Sequence, residues 1–345
     1  METADTNIRN NNMQKVTLKL NEIQPMIKPL GRTRLTDRGQ ELSWSAAGIS
    51  LCLSARRVAL HFADYGAESK AFIGVFVNNS KQIHSISGMS PVVMLEDAQE
   101  IDILSILRLS EGDIPLYLTE IVLYGEDEPT LLPPPQNSRR RMLFIGDSIT
   151  CGYGTDSVAE EDVFLTAEED VTHAYAYLTA QHFGADYQII SISGMGIVKS
   201  CRGESERQFP DFFALANRSG SSDPDESGFD PHVVVINGGT NDSFHVPPEE
   251  FAAGVEMFLA TLREKYPQSE IVWIYGAMGD KYSRVLYPLF QKKAQTDSHI
   301  TFTLASGIYP TPSFVGVKGH PNCMGQKRLA TELICHVENR MKGAW

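Results

Sequence analysis

The hydrophobic pattern of this chain changes period once, at a run of prolines, and that change limits the possible folds more than any other feature. Up to about residue 125 apolar and polar residues alternate in short runs: Leu42/Trp44, Ile49/Leu51/Leu53, Val58/Leu60/Phe62, 72–77, Ile101/Ile103 and 116–118. A period of two puts one face of each run in a core and the other in solvent. Gly, Asn, Asp and Ser punctuate the runs, so the pattern predicts an antiparallel β-sandwich. Pro133-Pro134-Pro135, followed by the polar stretch 136–141, cannot continue a sheet, because proline has no amide hydrogen for the ladder. Beyond it the apolar runs become continuous, at 142–145, 187–192, 233–236, 271–275 and 300–304. Strands apolar on both faces belong to a parallel sheet covered by helices. Helical spacing is expected between them at about 168–183, 248–266, 282–295 and 322–341. The last carries Ala330, Leu333, Ile334, Val337 and Met341 on one face and is entered through Pro321-Asn322. The chain thus divides into an N-terminal segment (1–29), a β-sandwich (30–130), a connector (131–141) and an α/β/α domain with a five-stranded parallel sheet (142–345).

Composition narrows the function classes. With 345 residues the chain has room for two ordinary cores, and 42% hydrophobic with 21% charged residues is globular usage. No apolar run approaches the roughly 20 residues of a membrane span, so no membrane partner is expected. A net charge of -13 without a basic stripe argues against nucleic acid and polyanionic substrates. The first twelve residues are polar and lack the apolar stretch of a secretory signal, which places the chain as given in the cytoplasm, or outside the cell if a signal has been removed. Five cysteines, odd in number and widely spaced, read as reduced thiols rather than a disulfide framework or a zinc knuckle.

Four short motifs follow strands of the second half: Gly146-Asp147-Ser148, Ser193-Gly194, Gly238-Gly239-Thr240-Asn241-Asp242 and His320-Pro321-Asn322. In an open parallel sheet ligands bind beyond the carboxyl ends of the strands, so all four fall on one rim. There a serine, a backbone amide, a side-chain amide and a histidine supply the parts for attack on an ester carbonyl. Ser148 would stand at a strand-to-helix turn whose amides favour developing negative charge, although a serine there also fits a simple helix N-cap. His320, with an ordinary value near 6.5, suits a general base. Asn241 can donate to an oxyanion beside the amides of Gly194 and Ser148, one such donor being worth about 3–4 kcal/mol of barrier. It equally fits a turn-former. Asp147 reads as an anchor of the turn. No dinucleotide fingerprint or phosphate loop is present, and the chemistry needs neither metal nor organic cofactor.

These residues resemble the SGNH (GDSL-type) hydrolases, whose four named residues align with Ser148, Gly194, Asn241 and His320. The longer string 146–154, behind a β-rich domain, is similar to carbohydrate esterase family 2. That resemblance implies a jelly-roll sandwich before a three-layer SGNH domain. It also implies removal of acetyl groups from hemicellulose sugars such as manno- or xylo-oligosaccharides, through an acetyl-enzyme. The superfamily's usual aspartate three residues before the histidine is replaced by Val317. As in some members of that family, a main-chain carbonyl, of Val317 or Lys318, is expected to orient His320, with Asp280 left open as a distant carboxylate. Tyr153, Phe244, Tyr275, Tyr309 and Phe314 are candidate sugar contacts, or else core aromatics, and the loops 154–167 and 200–231 candidate cleft walls. The rival readings are a general lipase or thioesterase of the same superfamily and a non-catalytic glycan-binding protein; oligomeric state is not legible.

Overall fold

The structure, a computed structural model, describes residues 13–157, 163–219, 222–343 and 345. Glu160, Glu161 and Asp162, read as a solvated acidic loop, lie outside them. The described chain forms two compact units. One comprises 13–43, 47–108 and 112–137, the other 44–46, 109–111 and the described residues from 138 onward.

The first unit is antiparallel. Its strands are β1 (Gln14–Lys19), β2 (Lys28–Leu30), β3 (Arg34–Thr36), β4 (Gly39–Leu42), β5 (Gly48–Phe62), β6 (Gly66–Val77), β7 (Ser80–Gly88), β8 (Val92–Arg108), β9 (Leu116–Gly125) and β10 (Thr130–Leu132). All ten are hydrogen-bonded into one sheet with the path β3-β4-β9-β5-β8-β6-β7. β5 pairs with β2, β10 and the end of β8 through its first half. Register shifts follow between Cys52 and Arg57, and its second half then pairs with β9 and the start of β8. A bulge bends a strand, so β5 and β8 run through both halves of the core instead of leaving two separate sheets. The alternating residues Ile49, Leu51, Leu53, Val58 and Leu60 are buried as their spacing requires. β1 starts inside the stretch read as an N-terminal segment and pairs with β9, while β10 reaches into the connector.

The second unit holds the parallel sheet: β11 (Arg141–Gly146), β12 (Asp186–Ser191), β13 (Val233–Asn237), β14 (Glu270–Tyr275) and β15 (Ile300–Leu304). Its helices are α1 (Ser148–Cys151), α2 (Tyr175–His182), α3 (Phe209–Phe212), α4 (Pro248–Lys265), α5 (Ser283–Thr296) and α6 (Cys323–Arg340). β13 and β14 are buried throughout, as central parallel strands must be. Strand order is β12-β11-β13-β14-β15. The chain leaves β11 toward one edge for β12 and then returns past β11 toward the other, which makes the carboxyl end of β11 the point where the order reverses and ligands bind. Gly146-Asp147-Ser148 stands there.

Two expected elements differ in detail. The helix expected at 168–183 starts at Tyr175. The Asp170 carboxylate accepts from Thr172 N and Oγ1 (2.9 and 2.6 Å) and closes a separate turn, and the extended Ala174 interrupts the spiral. The first amide of α2 then donates to Gln326 Oε1 at 2.9 Å. In α6 the N-cap is Asn322, which accepts from the amides of Met324 and Gly325, so Pro321 precedes the helix instead of opening its first turn.

Candidate active site

β11 delivers the serine through a turn that its sequence dictates. A Cβ on Gly146 would lie 1.9 Å from Thr150 Oγ1, so only glycine lets α1 fold back so closely on the strand end. Asp147 is the N-cap, its Oδ1 accepting from Ile149 N at 3.0 Å, and Gly152 ends the helix in the left-handed region at φ 91°. Ser148 is therefore the first helical residue, with its hydroxyl left over from capping, which removes the N-cap alternative. That hydroxyl lies 2.9 Å from His320 Nε2.

The histidine is held by the turn in front of it. Lys318 and Gly319 both take left-handed conformations (φ 51° and 71°). The chain thereby reverses, and His320 Nδ1 comes within 3.2 Å of the Val317 carbonyl oxygen. The Val317 amide donates to Ser157 Oγ (2.9 Å), which donates in turn to the Gly154 carbonyl (2.7 Å). Val317 is fully buried, and a Cβ on Gly154 would meet its Cγ1 at 2.2 Å. A carbonyl can only accept, so Nδ1 carries the proton and Nε2 is the bare nitrogen facing Ser148. Burial drives the His320 imidazole down to about 4. The Val317 and Lys318 backbone acceptors and the Glu111 carboxylate oppose that shift, and the Lys318 ammonium adds to it. Tyr153 covers the imidazole at 4.5 Å between ring centroids, and Phe164 stacks on Tyr153 at 3.8 Å.

Three donors were expected around the gap. The main-chain amides of Ser148 and Gly194 have no acceptor among the described residues. Gly194 is glycine because its backbone sits at φ 83°. Asn241 reaches the same rim but is occupied: its Nδ2 donates to Asp147 Oδ2 (3.1 Å) and to the Met195 carbonyl (2.8 Å). Both its hydrogens are committed, so an oxyanion would have to share one of them. Burial pushes the fully enclosed Asp147 up to about 7, against the opposing backbone hydrogen bonds. Next to Asn241, the buried Asp242 carboxylate accepts from the amides of Ile197, Val198 and Lys199 and so fixes the loop after Gly194. The sequence reading passed over Asp242 as the trailing letter of its motif.

The other candidates separate. Tyr275 is a correction: it is 2% exposed, its hydroxyl accepts from Tyr282 N at 3.4 Å, and a Cβ on Gly239 would touch its ring, so it is core and no substrate wall. Phe244 and Tyr309 are exposed, at 67% and 46%, Tyr309 lying beside Gly319, and Phe314 is half-buried. Asp280 acts on Tyr275, and the carboxylate whose field reaches His320 is Glu111. Phe164 and Glu111 were missed, the first because its loop shows no pattern and the second because it lies in the β-rich half of the sequence.

Among the described residues two groups could approach a metal ion, Glu111/Cys151/Glu169 and Asp156/Asp170/His173. The Arg218 guanidinium already occupies Glu111 Oε2, and Asp170 is spent on Thr172. Neither donor set suggests a resident cation.

Comparison with known proteins agrees with this fold. Residues 144–312 match the model of the GDSL-like Lipase/Acylhydrolase family. An acetylxylan esterase / glucomannan deacetylase of Cellvibrio japonicus is 26% identical over 320 residues, covering 90% of this chain and 87% of its own. Cellulase/esterase CelE of Acetivibrio thermocellus is 24% identical over 93% of this chain and 40% of its own. Among solved structures, a family two carbohydrate esterase from Cellvibrio japonicus superposes with a TM-score of 0.84 at 22% identity, over 96% of this chain and 99% of that one. A family two carbohydrate esterase from Clostridium thermocellum, in complex with cellohexaose, does so with a TM-score of 0.81 at 22% identity, over 92% and 99%. With residues 144–312 similar to the GDSL-like lipases/acylhydrolases and its relatives named as esterases, the chain is a serine ester hydrolase.

Proposed function

We propose that the protein is a carbohydrate O-acetyl esterase that deacetylates manno- or xylo-oligosaccharides through a Ser148–His320 dyad. The observation that carries the reading is the relay from the Val317 carbonyl through Nδ1 and Nε2 of His320 to Ser148 Oγ, with distances of 3.2 and 2.9 Å. Ser148 Oγ attacks the acetyl carbonyl while His320 Nε2 takes its proton. The amides of Ser148 and Gly194 then hold the oxyanion, and His320 returns the proton to the departing sugar hydroxyl. A water molecule, deprotonated by the same nitrogen, releases acetate. The Val317 carbonyl supplies the orientation that an aspartate gives in a triad, where a wrong tautomer costs about 10⁴ in rate, but it adds no full charge. Phe164, stacked on the Tyr153 that covers His320, and Tyr309 beside Gly319 supply aromatic surface for sugar rings. A carbohydrate substrate is further supported by the names of the relatives.

The test is acetate release from acetylated mannan, acetylated xylan and a lipid ester, with Ser148→Ala as control. Release from the glycans that vanishes in Ser148→Ala is the expected result. Preference for the lipid ester would make the protein a general lipase or thioesterase. Glycan binding without any release would make it a binding protein.

A further inference from the structure

We propose that Glu111 is a positioning residue for the oxyanion site: its carboxylate holds the Ser193 amide and thereby aims the next amide, that of Gly194. The inference rests on the esterase reading above and adds a residue that the motifs do not contain. Glu111 comes from the segment 109–111, which belongs to the second unit although it precedes that unit's main stretch. Its Oε2 accepts from Ser193 N at 3.1 Å, across 82 positions of sequence. Fixing that amide fixes the 192–193 peptide plane, from which the chain turns into the left-handed Gly194.

The surroundings show that the contact is built. The Arg218 guanidinium pairs with the same Glu111 oxygen and also donates to the Ser191 carbonyl at 3.4 Å. The main-chain amide of Glu111 donates to Glu169 Oε1 at 2.9 Å, so the second carboxyl anchors the backbone of the first. Cys151 closes the cluster, its Sγ 3.4 Å from both Ser193 Oγ and the Ser148 carbonyl. Two carboxyls therefore face one guanidinium and one thiol, and toward the gap the Glu111 charge reaches Asp147, Tyr153 and His320. Burial first, and the Glu111 charge second, push the 2% exposed Glu169 well above the carboxylate range.

The experiment compares wild type, Glu111→Gln, Glu111→Ala and Ser148→Ala on 4-nitrophenyl acetate, with kcat and KM measured separately and Tm alongside. Glutamine keeps an oxygen for Ser193 N; alanine keeps nothing. Glu111→Ala is expected to lose about 10²-fold in kcat with KM within about twofold, the size seen when one oxyanion donor is lost. Glu111→Gln should recover kcat to within about tenfold of wild type. A folded Glu111→Ala with wild-type kcat overturns the proposal. So does a Glu111→Gln with unchanged Tm that is as slow as Glu111→Ala. If the alanine variant does not fold, the glutamine variant decides: kcat within about tenfold of wild type upholds the proposal, and a larger loss at unchanged Tm overturns it. A wild type no faster than Ser148→Ala would overturn the esterase reading as well, which separates the two failures.

Discussion

Acid should switch this protein off unusually late, and one substitution should undo that. The proton transfer from Ser148 needs a neutral imidazole, and burial holds His320 at about 4 instead of the usual 6.5. At pH 5 about nine-tenths of such an imidazole is neutral, against about 3% at the ordinary value, a difference of roughly 30-fold in kcat/KM. Val317→Asp puts a carboxylate three residues before the histidine, in the turn whose Val317 carbonyl now serves Nδ1. An opposite charge within about 4–6 Å favours the imidazolium, so the acid limb should rise by about one unit or more. The linkage runs the same way for stability. With its pKa lowered on folding, His320 binds protons more readily in the unfolded chain, so its contribution is intact above about pH 6.5 and is lost as pH falls toward 4. Initial rates of acetyl-ester hydrolysis from pH 3.5 to 8, with circular dichroism at each pH, isolate the catalytic limb. A wild-type limb near pH 6.5, or a Val317→Asp profile that superposes on wild type, refutes the reasoning.

Removing the ring over the imidazole tests the cause of that shift: Tyr153→Ala admits water to His320 and should raise the acid limb toward pH 6.5, and an unmoved limb would show that Tyr153 contributes nothing to the desolvation. Asp147→Asn keeps an oxygen for the Ile149 amide but turns an N–H toward the Asn241 amide, setting two donors face to face. It should cost about 10² in kcat, and wild-type turnover would contradict the role given to that contact. Gln326 is fully buried, taking the Tyr175 amide and giving to the Ile149 carbonyl, each at 2.9 Å, so it ties α1 to α2 and α6. Gln326→Leu strands both groups and should lower unfolding free energy by about 2–4 kcal/mol in a denaturant titration, whereas a loss below about 0.5 kcal/mol would mean that water replaces the amide.

The division into an antiparallel and a parallel half was legible because a half-buried strand and a doubly buried one leave different periods. The meeting of Ser148 with His320 was legible because motifs at strand ends converge on one rim whatever the strand order. The order itself was not, since it depends on which side each crossover takes. Tyr275 shows a second limit: on a strand buried on both faces, no periodicity distinguishes a cleft wall from core. Asn241 shows a third, because a motif reveals a donor but not that Asp147 and Met195 already use its hydrogens. Glu111 lay furthest from view. It precedes the prolines and acts on Ser193, and no local pattern links a carboxylate to an amide 82 positions away.

The claim on which the rest depends is that Ser148 forms the covalent acyl-enzyme and His320 activates it. Rapid quenching during turnover of an acetyl ester, followed by peptide mass analysis, reads this directly. The account predicts one acetyl group on the peptide containing Ser148, absent in Ser148→Ala and formed about 10³-fold or more slowly in His320→Ala. An acetyl group on another residue, or acetylation of Ser148 at an undiminished rate without His320, would contradict it.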